Sequence, residues 1–315
     1  MKNVSVYIGE KLARYGFGAE HPFGTDRMAA FWDYAVQRGI TKHVIVNQPV
    51  DANEQQILLF HSKQYLKHVQ KCSREAKGYI DSGDTPAVKG IYEAALTVVG
   101  TTLDAVSNVM NENIKRAFVP IAGLHHATRN NAAGFCVFND CGIAIEFLRK
   151  NFGIKRIAYV DIDAHHGDGV FYAFESDPEL IFADIHEDGK TLYPGTGANT
   201  ETGLGGAIGT KLNIPVKADS NDRVFMDKWL TIEAFIIKHK PEFIIFQCGA
   251  DSIAGDPITH LQFSIKAHSY AAKRLCELAD DLSAGRLIVL GGGGYNRTNI
   301  AQTWTAVVEA LISHS

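Results

Sequence analysis

The stretch YVDIDAHHGDGV, residues 159–170, places three aspartates and two histidines within eight residues. Such groups bind metals, move protons or anchor neighbouring chain, and spacing separates these uses. Asp161, Asp163 and His165 recur every second residue, so in extended chain all three face one way and His166 faces another. Asp163 and His165 make a pair of hard and borderline ligands. Asp251, in CGADSIAGDP just past another apolar run, is the best candidate for a third. Two carboxylates and one imidazole suit a catalytic zinc that keeps a position open for water. Iron or manganese would accept the same set. Taken singly, an Asp-x-Asp pair or a lone histidine is more often a turn cap or a packing residue. Gathered at a buried edge, unpaired carboxylates are costly, and metal coordination is one way to offset that cost.

Two further groups have the chemistry of proton transfer and oxyanion stabilisation. His125 and His126 follow an apolar run in GLHHA. Adjacent side chains diverge in extended chain, so both reach one substrate only if the loop turns. As a pair they suit a general base and a general acid, each tuned by a carboxylate on its far nitrogen. Asp161 and Asp168 are left over for that purpose. Tyr295 follows four glycines in GGGGYN, which fits neither a dinucleotide fingerprint nor a P-loop. The glycines allow close backbone approach, and the phenol can donate to a polarised carbonyl oxygen. Asp256, in the run Gly-Asp-Pro, reads as a turn residue.

These side chains must be brought together by the elements that precede them. Apolar runs at 4–8, 43–46, 116–121, 156–162, 180–185, 243–248 and 286–290 have little polar alternation, the pattern of strands covered on both faces. Amphipathic stretches at 90–112, 139–151, 223–240, 264–282 and 298–313 read as helices between or after them. Alternation of this kind predicts an α/β fold with a mainly parallel central sheet flanked by helices. Five of the strands run directly into polar, Gly-rich loops. In an open parallel sheet those C-terminal ends share one edge, where ligands bind. No repeat, low-complexity tract or linker divides the chain, so residues 1–315 are expected to form a single domain.

Composition narrows the function classes. The net charge of -4 is an ordinary balance and does not suggest a nucleic-acid partner. The first residues lack a signal-peptide core, and no apolar run approaches the ~20 residues of a membrane span. The five cysteines include no Cys-x-x-Cys and are odd in number, which argues against a disulfide framework or a thiolate zinc site. A reducing cytoplasm is the expected location.

Together, GLHHATRNNAAGFCVFND, YVDIDAHHGDGV, CGADSIAGDP and LGGGGYN resemble the zinc-dependent histone deacetylase family, most closely its class I members and the bacterial acetoin-utilisation proteins. The likeness runs from about 83 to 305, with a weaker echo in HPFGTDRM. It implies an arginase-like fold, with the active site at the C-terminal strand ends, and hydrolysis of acetylated amines. It also implies one zinc ion held by Asp163, His165 and Asp251. His125 and His126 would be the tandem histidines, paired with Asp161 and Asp168, and His126 the general base. Tyr295 would polarise the acyl carbonyl. Gly134, Phe135 and Tyr193 would wall the channel for the lysine alkyl chain, Asp84 would grip substrate backbone at the rim, and Arg27 would lie behind the site.

Three positions depart from the family pattern. Asp184 stands where serine is usual beside a monovalent-cation site, which leaves open a K+ or Na+ near Asp161, Asp163, His165 and Asp184. Tyr193 replaces a common phenylalanine, and Ile258 follows Gly-Asp-Pro where leucine or methionine is common. The expected substrate is an acylated lysine in a peptide or protein. An acylated small amine such as an acetylpolyamine is the alternative, and a non-catalytic acyl-lysine binder the third reading.

Overall fold

In the computed structural model, which describes residues 2–314, the apolar runs form one sheet of eight parallel strands. The strands are β1 (Val4–Tyr7), β2 (Ile45–Asn47), β3 (Arg116–Val119), β4 (Ile157–Asp161), β5 (Leu180–Glu187), β6 (Lys211–Val216), β7 (Phe243–Gln247) and β8 (Leu287–Leu290). Their spatial order is β2-β1-β3-β8-β7-β4-β5-β6. The five strands whose loops carry the polar groups are therefore contiguous, β3-β8-β7-β4-β5. Register sets Asp161 at the end of β4 beside Asp184 on β5 and Gln247 on β7.

The helices are α1 (Glu10–Ala13), α2 (Arg27–Gln37), α3 (Glu54–Ile57), α4 (Lys63–Glu75), α5 (Ile91–Met110), α6 (Asp140–Phe152), α7 (Asp168–Ala173), α8 (Asp222–His239), α9 (Ile265–Leu282) and α10 (Arg297–Ser313). Alternate strand residues feed two cores. Ile157 and Tyr159 of β4 pack with Val98, Leu103 and Ile143 from α5 and α6. Ala158 and Val160 join Phe31, Trp229, Leu275 and Trp304 from α2, α8, α9 and α10 on the other face. All five cysteines are free and buried, as packing residues. Among the described residues no helix is long and apolar enough to cross a membrane.

The expected strands and the five expected helices are all present, with ends shifted by a few residues. The sequence reading lacked β6 and the helices α1–α4 and α7. β6 is an edge strand whose sequence, KLNIPV, carries a proline and two polar residues. Proline has no N–H for a ladder, which an edge position tolerates. α2 opens with Arg27 and has a mixed surface, so its apolar stripe is short.

Gly100 in α5 lies against the segment that leads from β2 toward α3. A Cβ there would stand 2.3 Å from both Ala52 N and Val50 O. That segment is pinned by Ala52 N donating to Leu96 O (2.9 Å), Val50 N to Thr101 Oγ1 (3.1 Å) and Thr97 Oγ1 to Asp51 Oδ1 (2.7 Å). Gly100→Ala gains about 1 kcal/mol of helix propensity but overpacks a fixed backbone, at about 1–3 kcal/mol. We expect net destabilisation, read as a lowered urea midpoint; an unchanged or raised midpoint would show that the segment yields.

Candidate active site

The chain leaves β4 at Asp161 and turns. Asp163 N donates to Asp161 Oδ1 (3.0 Å), and His165 N donates to Asp163 Oδ1 (3.0 Å). This stair of bonds, each two residues long, bends what was expected to be extended chain, so Asp161 and Asp163 serve different partners. Asp161 Oδ2 accepts from Tyr159 Oη (2.6 Å) and His125 Nδ1 (2.7 Å). Asp163 and His165 turn toward Asp251.

Asp163, His165 and Asp251 are buried, and one donor atom from each lies within 4.8 Å of the others. His165 Nδ1 is 3.0 Å from Asp163 Oδ1 and 3.3 Å from Asp251 Oδ2. Asp163 Oδ2 accepts from Gln247 Nε2 and Gly293 N, both at 2.9 Å. Asp251 Oδ1 accepts from Ala164 N (2.9 Å), whereas Asp251 Oδ2 is buried without a hydrogen bond, since His165 Nδ1 is off line. Burial disfavours a charged His165, yet Asp163 and Asp251 outweigh it and hold its pKa up at about 10. Burial, then repulsion from Asp163, pushes Asp251 up to about 7. The cluster carries more negative charge than its surroundings tolerate. A divalent cation would balance it, and the donor set fits zinc. Gly293 keeps this space open: a Cβ there would come 2.0 Å from Asp251 Oδ2.

Beside this cluster the loop after β3 does turn, so that His125 and His126 converge. Their rings are 4.1 Å apart and their Nε2 atoms 3.0 Å apart. His126 Nδ1 faces Asp168 Oδ1 at 2.7 Å, as His125 Nδ1 faces Asp161. Each Nδ1 therefore carries a hydrogen, and only one Nε2 can hold the proton between them. Burial works against charge on His125, but Asp161 and Asp163 prevail and raise it to about 10. Burial and the charge of His125 lower His126. Both shifts favour His125 as the protonated partner and His126 as the acceptor.

The side chains of Asn139 and Asp140, at the start of α6, fix this loop. Asn139 Nδ2 donates to the carbonyls of His125 (3.2 Å) and Ala127 (2.8 Å). Asp140 Oδ1 accepts from Leu124 N at 2.7 Å, and its carboxylate also receives Gly123 N (3.1 Å). The sequence reading assigned neither residue a role, nor Gln247. The signal available was a buried-type Asn-Asp pair at a helix start in the quoted FND.

Tyr295 stands over the cluster. Its N donates to Asp256 Oδ2 (2.8 Å), so the turn aspartate has a positioning task as well. Among the described residues its hydroxyl has no hydrogen-bond partner. Arg27 is fully buried behind it. Arg27 Nε donates to Gly294 O (2.9 Å) and Nη2 to Gly292 O (2.6 Å), while its guanidinium lies 4.0 Å over the Phe23 ring. Nη1 has no partner.

A narrow cavity is lined by His125, His126, Gly134, Asp163, His165 and Tyr295, and also by Phe23 and Cys136. Phe135 packs edge-on against Tyr295 at 5.9 Å, and Tyr193 against His126 at 5.2 Å. Gly134 (φ 53°) lies so close to His126 that a Cβ would be 2.4 Å from its ring. Asp84 Oδ2 accepts from Gly134 N (3.2 Å) and Oδ1 from Thr85 Oγ1 (2.8 Å). Burial first, then Asp81, raises Asp84 to about 6. Ile258 lies partly buried on the segment after Asp256, outside the cavity lining. A larger cavity of about 950 Å³ between α1 and α5 contains none of these groups.

Asp184, expected beside a monovalent cation, is hydrogen-bonded within the protein. Asp184 Oδ2 accepts from Gly167 N (2.9 Å) and Oδ1 faces His186 Nδ1 (2.8 Å). His186 Nε2 faces Gly197 O at 3.0 Å. Acceptors at both nitrogens make His186 an imidazolium, whose charge balances Asp184. His166 packs against Phe171 and His186 rather than entering the cluster.

Residues 21–311 match the family model described as the histone deacetylase domain. The chain is 35% identical over 301 residues to the acetoin utilization protein AcuC of Bacillus subtilis (strain 168), covering 93% of this chain and 78% of that protein. It is 31% identical over 316 residues to AcuC of Staphylococcus xylosus, covering 98% and 82%. With AcuC of Staphylococcus aureus (strain MSSA476) the identity is 31% over 320 residues, covering 99% and 82%. The likeness is longer than the motifs alone indicate.

The orphaned oxygen of Asp251 generates a test. Zinc at about a hundred times its Kd should stabilise metal-stripped protein by roughly 2.7 kcal/mol, seen as a raised melting temperature. Asp251→Asn keeps the shape and an acceptor for Ala164 N but replaces the orphaned oxygen with an amide. It should lose most of that rise; an undiminished rise would remove Asp251 from the ligand set.

Proposed function

The chain belongs to the histone deacetylase family and is a hydrolytic deacetylase, and on that premise we propose that it removes acetyl or other short acyl groups from the ε-amine of lysine in peptides or proteins. The observation that carries the reading is the pair of 2.7 Å carboxylate–imidazole contacts that fix the Nδ1–H tautomers of His125 and His126 beside the Asp163–His165–Asp251 cluster.

Asp163, His165 and Asp251 would hold a catalytic zinc, which when bound polarises the acyl carbonyl and makes water more acidic. His126 takes a proton from the attacking water through its Nε2 lone pair, and Asp168 stabilises the charge that it gains. The Tyr295 hydroxyl donates to the oxyanion as it develops. His125, held as a cation by Asp161, delivers a proton to the departing amine. Phe135 and Tyr193 flank the alkyl chain and fix its approach. Gly134 lets that wall sit directly on His126. Arg27 holds the glycine loop by its carbonyls and so places Tyr295.

The rim favours a peptide over a small amine. Each oxygen of Asp84 makes one bond to its own loops. A carboxylate has about four lone-pair sites, so Asp84 retains capacity for substrate N–H groups. Rates on an acetyl-lysine peptide and on N-acetylputrescine, measured side by side, decide between the two: faster hydrolysis of the acetylputrescine would overturn the peptide reading.

Tyr295→Phe should leave zinc content unchanged and cut turnover by roughly 10²–10³-fold, the usual cost of one oxyanion donor. Near-normal turnover in that variant would sink the mechanism.

A further inference from the structure

β5 ends in Glu187, a carboxylate that is 1% exposed and has no part in the proposed reaction. It joins two loops. Glu187 Oε1 lies 2.9 Å from Thr191 Oγ1 and 2.8 Å from His260 Nδ1, and Oε2 accepts from His260 N at 3.0 Å. Thr191, whose hydroxyl also reaches Asp188 O (3.0 Å), stands two residues before Tyr193. His260 stands two residues after Ile258. The 256–260 segment is itself fastened to the site, because Thr259 Oγ1 donates to Asp251 O and Asp256 accepts from Tyr295 N. One buried charge therefore ties the Tyr193 loop to the backbone that steadies Asp251 and Tyr295.

We propose that Glu187 is a positioning residue that sets the width of the channel mouth by holding the Tyr193 loop to the 256–260 segment. This rests on the reading that Tyr193 walls the channel. Buried carboxylate oxygens need their donors, so neither loop can retreat without leaving Glu187 short of partners. The arrangement holds the alkyl chain of the substrate and does not touch the reacting atoms. Its loss therefore falls on binding more than on the chemical step.

The test uses the zinc-loaded full chain. In Glu187→Ala, amide hydrogen exchange should rise in 188–197 and 256–262 together. KM for an acyl-lysine peptide should rise roughly ten-fold, with kcat within about two-fold. Glu187→Gln should restore most of both, since its amide can accept from His260 N and donate toward Thr191 and a re-tautomerised His260. Should Glu187→Ala fail to fold, Thr191→Val and His260→Phe each remove one tie. Each should raise KM by a few-fold. Wild-type KM and exchange in both single-tie variants would overturn the proposal, as would a rise in exchange confined to one segment of Glu187→Ala. If wild-type protein hydrolyses no acyl-lysine peptide, the functional reading fails, and the exchange data still decide whether Glu187 couples the loops.

Discussion

Four fully buried carboxylates at the ends of three adjacent strands set the terms for the rest of the structure. Asp161, Asp163, Asp184 and Asp251 are at most 1% exposed. Charges so placed are expensive unless donors or cations meet them. The protein meets them one by one. Tyr159 and His125 serve Asp161, His186 and Gly167 N serve Asp184, and Gln247 and Gly293 N serve Asp163. Asp251 alone keeps an oxygen without a hydrogen bond. The place where satisfaction stops is the place where the donor set fits a metal.

Parallel topology makes this crowding possible. Every strand points its C-terminal end at the same edge, so β3, β8, β7, β4 and β5 each deliver a loop to one region. A loop rich in glycine can approach closely but holds no shape of its own. Each is therefore clamped from outside: Asn139 and Asp140 hold the histidine loop, Arg27 holds the glycine loop, and Asp256 holds Tyr295. The candidate reacting groups lie on loops, but their positions derive from helix starts and strand ends.

Much of this was legible in the sequence because it is written in local patterns. Strands covered on both faces show as unbroken apolar runs, and the metal and proton-transfer candidates lie in short motifs just beyond them. What local pattern does not carry is the partner. Gln247 ends an ordinary apolar strand, and its contact with Asp163 spans 84 residues. Glu187 looks like one more surface acid in HEDGK until Thr191 and His260 are seen around it. β6 was hidden by its proline and its edge position. The expectation of extended chain through Asp161, Asp163 and His165 failed because aspartate side chains compete for backbone N–H groups two residues on, and two of them in succession bend the strand end.

Arg27 spans 267 residues to reach Gly294 and 265 to reach Gly292. These are among the longest sequence separations of any contact in the protein, and contacts of that kind are slow to form because the intervening chain must first be ordered. The loop that carries the Tyr295 phenol is therefore anchored only once α2 has packed against it. Tyr295 is thus positioned by contacts of far longer range than those that hold His125 and Asp163.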